Sequence, residues 1–266
     1  NNYYKGIFTL LIIAALSFLI MTVTFAFSSA PLNIALFMSY FSGKLLMLMN
    51  FIPIFLCMSF IYLIFNRLWI GYLLTNFILV TMSIINKFKL MYRDDPFSFI
   101  DLKLIKESMI ISKEYDLSLS PKIIVLIMVL IGIAIVLQIF FKYEIMSKKI
   151  RIMLLVILIF ISILIFKDFY FDPNIYKTVG DKEIINIWVQ SDQFKSKGFI
   201  YPFIYSIKDA KEVELEGYDE KKAIEDLFIY DYSDIPSNKK VNIISIMLEA
   251  YNDFSELEDV ELSIDV

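Results

Sequence analysis

Five apolar stretches, each long enough to cross a lipid bilayer as a helix, constrain this chain more than any other feature. A transmembrane helix needs about 20 consecutive, mostly apolar residues because the hydrocarbon core of a bilayer is about 30 Å thick. Hydrophobic residues make up 58% of the 266 residues, which is above the roughly 45–50% of a soluble domain. We therefore predict a mostly α, polytopic membrane bundle of five helices. The predicted spans are 6–27, 45–65, 68–86, 123–141 and 150–167.

The first and fifth spans need separate arguments. The first is too long, and too lightly charged in front, for a typical cleaved signal peptide, so we interpret it as a retained anchor. The apolar part of the fifth, 152–166, is short, but Arg151 and Lys167 can extend their charged ends to the interface. No Asp, Glu, Lys, Arg or His lies inside the apolar part of any span. This absence argues against a transporter, which usually carries such residues within the membrane.

Two prolines mark irregular places near the outer end of the predicted bundle. Pro53 lies inside the second span, where a kink is expected. The uncharged stretch 28–43 contains Pro31 and Asn33, which suit a helix interior poorly. We predict an interfacial turn there, and a sixth span near 30–43 is the alternative.

The charges of the loops predict the orientation of the bundle. The loop 141–151 carries four basic residues against the single acid Glu144, and short basic loops stay in the cytoplasm. These basic residues are Lys142, Lys148, Lys149 and Arg151. The N-terminus is then cytoplasmic, and everything after Lys167 lies outside the cell membrane. Segment 87–121 also falls outside, although it holds six basic and six acidic residues.

Charge and side-chain chemistry exclude several classes of function. Residues 167–266 contain 11 Lys and 22 acidic residues, whereas residues 1–166 contain 14 Lys or Arg and 7 acidic residues. An acidic outer part does not suit nucleic acid, because binding phosphates requires a basic face. The sequence has no histidine, which removes the commonest general base and transition-metal ligand. Cys57 is the single cysteine, so no internal disulfide can form, and we expect it to have a packing role.

The outer segments carry three further patterns. Ile100, Leu104, Ile105 and Ile111 fall near helical spacing and predict either a helix in the outer interface or a solvated connector with one face on the bundle. Segment 183–208 is aromatic and amphipathic, with breaks expected at Gly198 and Pro202. Segment 217–230 predicts a short helix capped by Asp219. Its apolar stripe is Ala223, Ile224, Leu227 and Phe228.

A short apolar run near the C-terminus predicts a buried strand. VNIISIMLE, residues 241–249, follows a polar linker and is apolar almost throughout, as in parallel sheets covered on both faces. Ligands of such sheets bind at the carboxyl ends of the strands, where Glu249 stands. The alternative is that Glu249 binds no ligand and only caps a helix or faces solvent.

Four stretches, in this order, resemble the lipoteichoic acid synthase family of membrane phosphoglycerol transferases. NKFKLMYRDDPFSFIDLKLIKES is similar to the family's loop after the third span, and NIWVQSDQFKSKGFIYPFIYSIKD to its aromatic segment after the last span. EGYDEKKAIEDL is similar to the helix ahead of the catalytic domain, and NIISIMLEAYNDFSEL to that domain's first strand. The likeness runs through essentially the whole chain.

The resemblance implies a metal-dependent transferase with a sulfatase-like catalytic domain outside the cell. In that family a threonine attacks phosphatidylglycerol, and the glycerophosphate passes to a growing polymer or another cell-envelope acceptor with the help of Mn²⁺ or Mg²⁺. Glu249 matches the first metal ligand. The resemblance divides the chain into a membrane domain 1–167, an extracellular helical linker 168–240, and the start of a truncated catalytic domain 241–266.

The match to the family is incomplete at the catalytic centre. The family's nucleophilic threonine and its Asp and His ligands lie beyond the first strand, so this chain contains no predicted catalytic or cofactor-binding residue, and Glu249 alone would not hold a metal ion tightly. We expect the chain to be the N-terminal part of a longer or truncated enzyme, with a threonine and an Asp-His pair encoded downstream.

Two other interpretations stay open. One is a non-enzymatic polytopic membrane protein, such as a scaffold or regulator. The other is another sulfatase-fold membrane phosphotransferase, such as a phosphoethanolamine transferase. The strand of that group usually ends in Gly-Glu, where this chain has Leu248 before Glu249.

The predicted orientation can be tested by labelling cysteines on whole cells. In a Cys57→Ser background, Lys211→Cys should react with a membrane-impermeant thiol reagent, whereas Lys149→Cys should react only after lysis. The reverse pattern would show that the bundle is inserted the other way round.

Overall fold

Five helices of the described residues are long and apolar enough to cross a membrane. The computed structural model describes residues 2–28, 33–106, 115–141, 147–180, 189–210 and 219–228, which are mostly helical and include no strand. The first six helices are α1 (Asn2–Ser28), α2 (Ile34–Ser42), α3 (Lys44–Phe65), α4 (Leu68–Arg93), α5 (Pro121–Phe140) and α6 (Lys148–Ile165). All except α2 are spans, and α6 continues through wide π-type turns to Tyr170. The prediction of five transmembrane helices is therefore confirmed by length and composition.

Helices α1, α3 and α4 pack against one another and form the centre of the bundle. Helix α5 packs on α4, and α6 packs on α3 at the periphery, with no buried residue of its own between Lys148 and Ile165. Gly71 allows close packing of α3 and α4, since a Cβ atom there would lie 3.3 Å from Cβ of Tyr62 and 3.4 Å from the carbonyl oxygen of Met58.

Small polar side chains are buried along the contact faces of the central helices. Thr24, Thr75 and Ser83 are almost completely buried, and their hydroxyls donate to carbonyl oxygens three or four residues earlier in the same helix. Small hydroxyl residues let helices approach closely in lipid, where burial of apolar surface no longer drives association. Because their hydroxyls are already satisfied, these side chains add no unpaired group to the membrane interior.

Helix α6 is joined to α3 near both of its ends. The Arg151 guanidinium donates to the carbonyl oxygens of Leu63 and Ile64, at 3.4 and 3.1 Å. These carbonyls belong to the last turn of α3 and lack partners within that helix. At the other end, the Tyr170 hydroxyl donates to the carbonyl oxygen of Met49, at 2.9 Å.

The interfacial turn predicted for 28–43 is wrong in its described part, which contains the helix α2. The side chain of Asn33 caps this helix by accepting from the backbone N–H of Leu36, so Asn33 precedes the helix rather than interrupting it. Nine residues extend about 13 Å, which is too short to cross the bilayer. The alternative of a sixth span is therefore wrong as well.

The segment after α4 folds back on the end of that helix. Helix α4 runs seven residues past the predicted end of its span and stops at Asp94, which adopts a left-handed conformation with φ of 48°. A single 3₁₀ turn follows at Phe99–Leu102. Ile100, Leu104 and Ile105 are about half exposed, and Ile111 lies outside the described residues, so the interfacial helix stays a prediction.

The described residues between 173 and 210 form three short helices after the last span: α7 (Pro173–Thr178), α8 (Gln190–Lys197) and α9 (Ile200–Tyr205). Gly198 ends α8, as predicted. The expected break at Pro202 is wrong because Pro202 is the third residue of α9, where a backbone N–H would have no partner within the helix.

Residues 213–266 form a separate unit of the chain. Its described part is the helix α10 (Glu220–Phe228). The Asp219 carboxylate accepts from the backbone N–H of Lys221 at 2.9 Å, which confirms the predicted N-cap. The predicted strand 241–249 lies outside the described residues.

Candidate functional site

Asn50 joins the segment after the last span, residues 189–210, to the end of the bundle at which that span ends. This fully buried residue of α3 uses its side-chain amide in three hydrogen bonds. Its Nδ2 donates to the carbonyl oxygens of Leu46 and Lys197, both at 2.9 Å. Its Oδ1 accepts from the backbone N–H of Tyr201, at 3.1 Å. One amide thus satisfies backbone groups on either side of Gly198. Each of these groups, if buried without a partner, would cost about 1–3 kcal/mol.

Gly198 is required at this junction for two reasons. Its φ of +74° belongs to the left-handed region, which side chains with a Cβ atom rarely adopt. A Cβ atom there would also lie 2.6 Å from Cε1 of Phe25 and 3.1 Å from Oδ1 of Asn50. The backbone at Gly198 therefore passes directly over α1 and α3, so closely that only a residue without a side chain fits there.

Further bonds fix α8 and the residues after α9 to the bundle. The Tyr40 hydroxyl of α2 donates to the carbonyl oxygen of Lys195, and the Lys195 ammonium lies 3.1 Å from a carboxylate oxygen of Asp94. The Ser206 hydroxyl accepts from the backbone N–H of Phe99, at 2.8 Å. The Lys103 ammonium donates to the carbonyl oxygen of Ala210, at 2.9 Å. Residues 189–210 thus contact α2, the end of α4 and the 3₁₀ turn.

The loop after α4 is itself held by a charge cluster around Lys89. The Lys89 ammonium lies 2.8 Å from Asp101 and 2.6 Å from Asp95, and it also donates to the carbonyl oxygen of Pro96. Asn86 accepts from the backbone N–H of Phe97 at 2.9 Å. This loop lies in the connection between the third and fourth spans. Its described side chains build a folded platform for α9 rather than an open site.

Aromatic rings form the contact between that platform and α9. The ring of Phe97 stacks on Phe203 with centroids 5.7 Å apart, and Phe99 meets Phe203 edge to face at 6.1 Å. Such aromatic pairs contribute roughly 0.5–1.5 kcal/mol beyond the burial of their area. The loop and α9 are thereby fixed to one another by packing as well as by hydrogen bonds.

Lys197 is a completely buried lysine among tyrosines. Its ammonium donates to Oε1 of Gln193 at 2.6 Å and lies 4.8 Å from the ring centroid of Tyr176. The Tyr176 ring stacks on Tyr205, with centroids 3.7 Å apart. Among the described residues no carboxylate lies within 4.0 Å of this ammonium. The cation is therefore held by a neutral oxygen and a π face instead of an ion pair.

Burial shifts the pKa values of Lys197 and of the tyrosines around it. It lowers the pKa of Lys197 to about 8, because a desolvated ammonium is disfavoured against the neutral amine. It raises the pKa of Tyr176 and Tyr201, whose phenolate forms are disfavoured by burial in the same way. The Tyr201 hydroxyl is buried and has no hydrogen-bond partner among the described residues. Enclosed on all sides, the amine is suited to structure rather than to reaction with a soluble substrate.

The predicted metal ligand is not part of this site. Glu249 lies outside the described residues, and within the described ranges no group of three or more His, Cys, Asp and Glu residues could hold a metal ion. Cys57 is half-buried in α3. Sequence reasoning missed Asn50 and Lys197. The signal for Asn50 was present, since an amide inside an otherwise apolar span needs a buried partner.

Comparison with protein-family models, curated proteins and solved structures finds no match to this chain.

The role of Asn50 can be tested by amide hydrogen exchange. Asn50→Ala removes three hydrogen bonds and leaves the Lys197 carbonyl and the Tyr201 N–H buried without partners. We expect exchange across 190–205 to accelerate about tenfold or more, from a loss of roughly 1–3 kcal/mol in local stability. Asn174→Ala, a change on the exposed surface of α7, should leave this exchange unchanged. Equal protection in both variants would show that Asn50 does not hold the segment.

The buried lysine predicts a pH dependence with a defined sign. An unfolded lysine has a pKa of about 10.4, so between about pH 8 and pH 10 the unfolded chain binds more protons than the folded chain, and stability rises with pH. Below about pH 8 both states carry the proton and this contribution is constant. The midpoint of thermal unfolding in detergent should therefore rise from pH 8 to pH 9.5.

Replacing the lysine separates this effect from other titrations. Lys197→Met, which has no titrating group, should flatten the curve between pH 8 and pH 9.5. The control Lys177→Met, on the exposed surface of α7, should keep the rise. Parallel curves for wild type and Lys197→Met would contradict the assignment.

Proposed function

We propose that this chain is the membrane anchor and N-terminal part of a metal-dependent phosphoglycerol transferase. The enzyme moves glycerophosphate from phosphatidylglycerol to a lipoteichoic-acid-like acceptor of the cell envelope. The chain lies in the cell membrane with its N-terminus in the cytoplasm. The observation that supports this proposal is the attachment of the segment 189–210 to the end of the bundle through Asn50, Gly198 and the hydrogen bond of Tyr40.

The attachment suits an enzyme that acts on a lipid headgroup. A substrate in the membrane presents its phosphate at the interface, so a catalytic domain must be held close to that surface to attack it. A flexible linker would let the domain sample a large volume, whereas a segment bound to the bundle shortens the flexible connection between the bundle and the residues that follow. A single apolar helix would be enough for anchoring alone. The five spans and the folded segment on top of them are better explained as a platform.

Glu249 supplies the first metal ligand in this proposal. Mn²⁺ and Mg²⁺ prefer carboxylate and other oxygen ligands, and Glu249 is the one ligand that the resemblance assigns within residues 1–266. The metal supplies Lewis acidity, lowers the pKa of the nucleophile and neutralises charge on the phosphoryl oxygens. Residues 211–248 connect the attached segment to this ligand, and α10 lies within that connection.

The proposal predicts the effect of one substitution in cells that express the complete gene. Glu249→Gln keeps the size of the side chain but removes the charge that a divalent cation requires. Metal-dependent release of diacylglycerol from phosphatidylglycerol should fall at least about 100-fold, because losing even a group that only supports a metal ligand costs about 10–100-fold. Radiolabelled phosphatidylglycerol in isolated membranes provides the measurement, with Mn²⁺ added or chelated.

Glu256→Gln is the matched control, because it removes the same charge seven residues further on and should leave the release intact. Full activity of Glu249→Gln would make that residue a helix cap or a surface acid. No release by the wild type would favour the non-enzymatic interpretation, a polytopic scaffold or regulator.

A further inference from the structure

An apolar groove of about 630 Å³ lies between α3 and α6. Its volume falls in the range of sites that bind small molecules, roughly 300–1,000 Å³. The groove is lined by side chains of both helices, among them Pro53, Cys57, Phe60, Leu158, Ser162 and Phe166. The Ser162 hydroxyl donates to the carbonyl oxygen of Leu158 at 2.7 Å, so this polar group is satisfied within its own helix. The groove therefore favours an apolar occupant.

The groove extends over about half the thickness of a bilayer. Along α6 and the π-type turn that continues it, the lining runs from Leu158 to Lys167, ten residues whose nine steps rise about 13 Å. Half of a hydrocarbon core of about 30 Å is 15 Å. The apolar spans on both sides place the groove within the hydrocarbon core, on the side where α6 ends. Its length matches a lipid chain of that single leaflet.

Two lysines stand at the mouth of the groove, at the level of the lipid headgroups. Lys167 is part of the lining, and its side chain is exposed. Lys208 is also exposed, and its ammonium lies 3.3 Å from the carbonyl oxygen of Phe171, another lining residue. Among the described residues no carboxylate lies within 4.0 Å of either ammonium, although Asp168, Asp172 and Asp209 adjoin Lys167, Phe171 and Lys208 in the sequence. The two ammonium groups are complementary to the phosphate of an anionic headgroup.

We propose that this groove binds one acyl chain of an anionic phospholipid and that Lys167 and Lys208 hold its phosphate. The position of the groove at the periphery of the bundle supports such a site. Helix α6 has no buried residue between Lys148 and Ile165, so its contact with α3 is open to lipid. The site is a feature of the membrane bundle itself. It does not depend on the proposed transferase activity or on Glu249.

Photocrosslinking of the full chain in nanodiscs tests the site. The discs contain phosphatidylcholine and phosphatidylglycerol in a 3:1 ratio, with a trace of phosphatidylglycerol that carries a diazirine in one acyl chain. Mass spectrometry of the peptides should find adducts concentrated on residues 53–60 of α3 and 158–166 of α6. The same diazirine on phosphatidylcholine should give at least about fivefold fewer adducts there, since each lysine near a headgroup favours an anionic lipid by about that factor.

Charge variants separate the proposed site from general attraction of anionic lipid. Lys167→Glu should reduce phosphatidylglycerol adducts in the groove at least about fivefold, and Lys167→Arg should retain them. Lys149→Glu, at the opposite end of α6, makes the same change in net charge and should have no effect. Ser162→Leu places a larger side chain in the groove and should reduce adducts of both lipids. All variants are compared as monodisperse fractions from gel filtration.

Adducts spread evenly over the lipid-facing sides of the five spans would overturn the proposal, because they would show ordinary annular lipid. Equal labelling by the two lipids, or equal losses in Lys167→Glu and Lys149→Glu, would also overturn it. A loss in Lys167→Arg as large as in Lys167→Glu would rule out a role for charge.

Discussion

The hydrogen bonds of Asn50 are the interaction on which the attachment of residues 189–210 to the bundle depends. An amide inside an apolar span is expensive unless its donors and acceptors are paired, and here the partners come from Leu46, Lys197 and Tyr201. Because two of these partners are backbone groups of the segment after the last span, burial of Asn50 and attachment of that segment require each other. Gly198 is a consequence of the same contact, since the backbone must approach α1 and α3 to meet the amide.

The contacts of Lys197 with the tyrosines around it, Tyr176 and its stacking partner Tyr205, extend this attachment. Lys197 contributes its carbonyl oxygen to Asn50 and its ammonium to Gln193 and Tyr176. Burying that cation is unfavourable, as its lowered pKa shows, and an apolar residue of similar size would fit the site at lower cost. Residues 189–210 are therefore stabilised chiefly by the hydrogen bonds of Asn50 and by aromatic packing. The buried ammonium of Lys197 does not add to this stability.

The parts of the fold set by local chemistry could be predicted from the sequence. The spans follow from long apolar runs, the cap at Asp219 from its place before an amphipathic stripe, and the end of α8 from Gly198. The helix α2 was missed because Asn33 was interpreted as a helix interior residue, although asparagine is a common N-cap. Pro202 was misjudged for a related reason, since its effect depends on which turn of the helix it occupies.

The candidate site depended on contacts that no local pattern contains. The bonds between Asn50 and Lys197 join residues 147 positions apart, and nothing in either neighbourhood shows that the two meet. Asn50 and Lys197 were found from contacts in the structure. The proposed metal ligand Glu249, in contrast, was assigned by a resemblance in sequence, which gives no geometry. It stays a prediction, because the described residues end before it.

The fixation of α6 at both ends determines how the bundle can respond to membranes of different thickness. Helices usually relieve hydrophobic mismatch by tilting independently. Arg151 and Tyr170 join α6 to α3 near opposite interfaces, so neither helix can change its inclination without the other. In a thinner or thicker bilayer the pair must move together, and the lipid beside it must compress or stretch to follow.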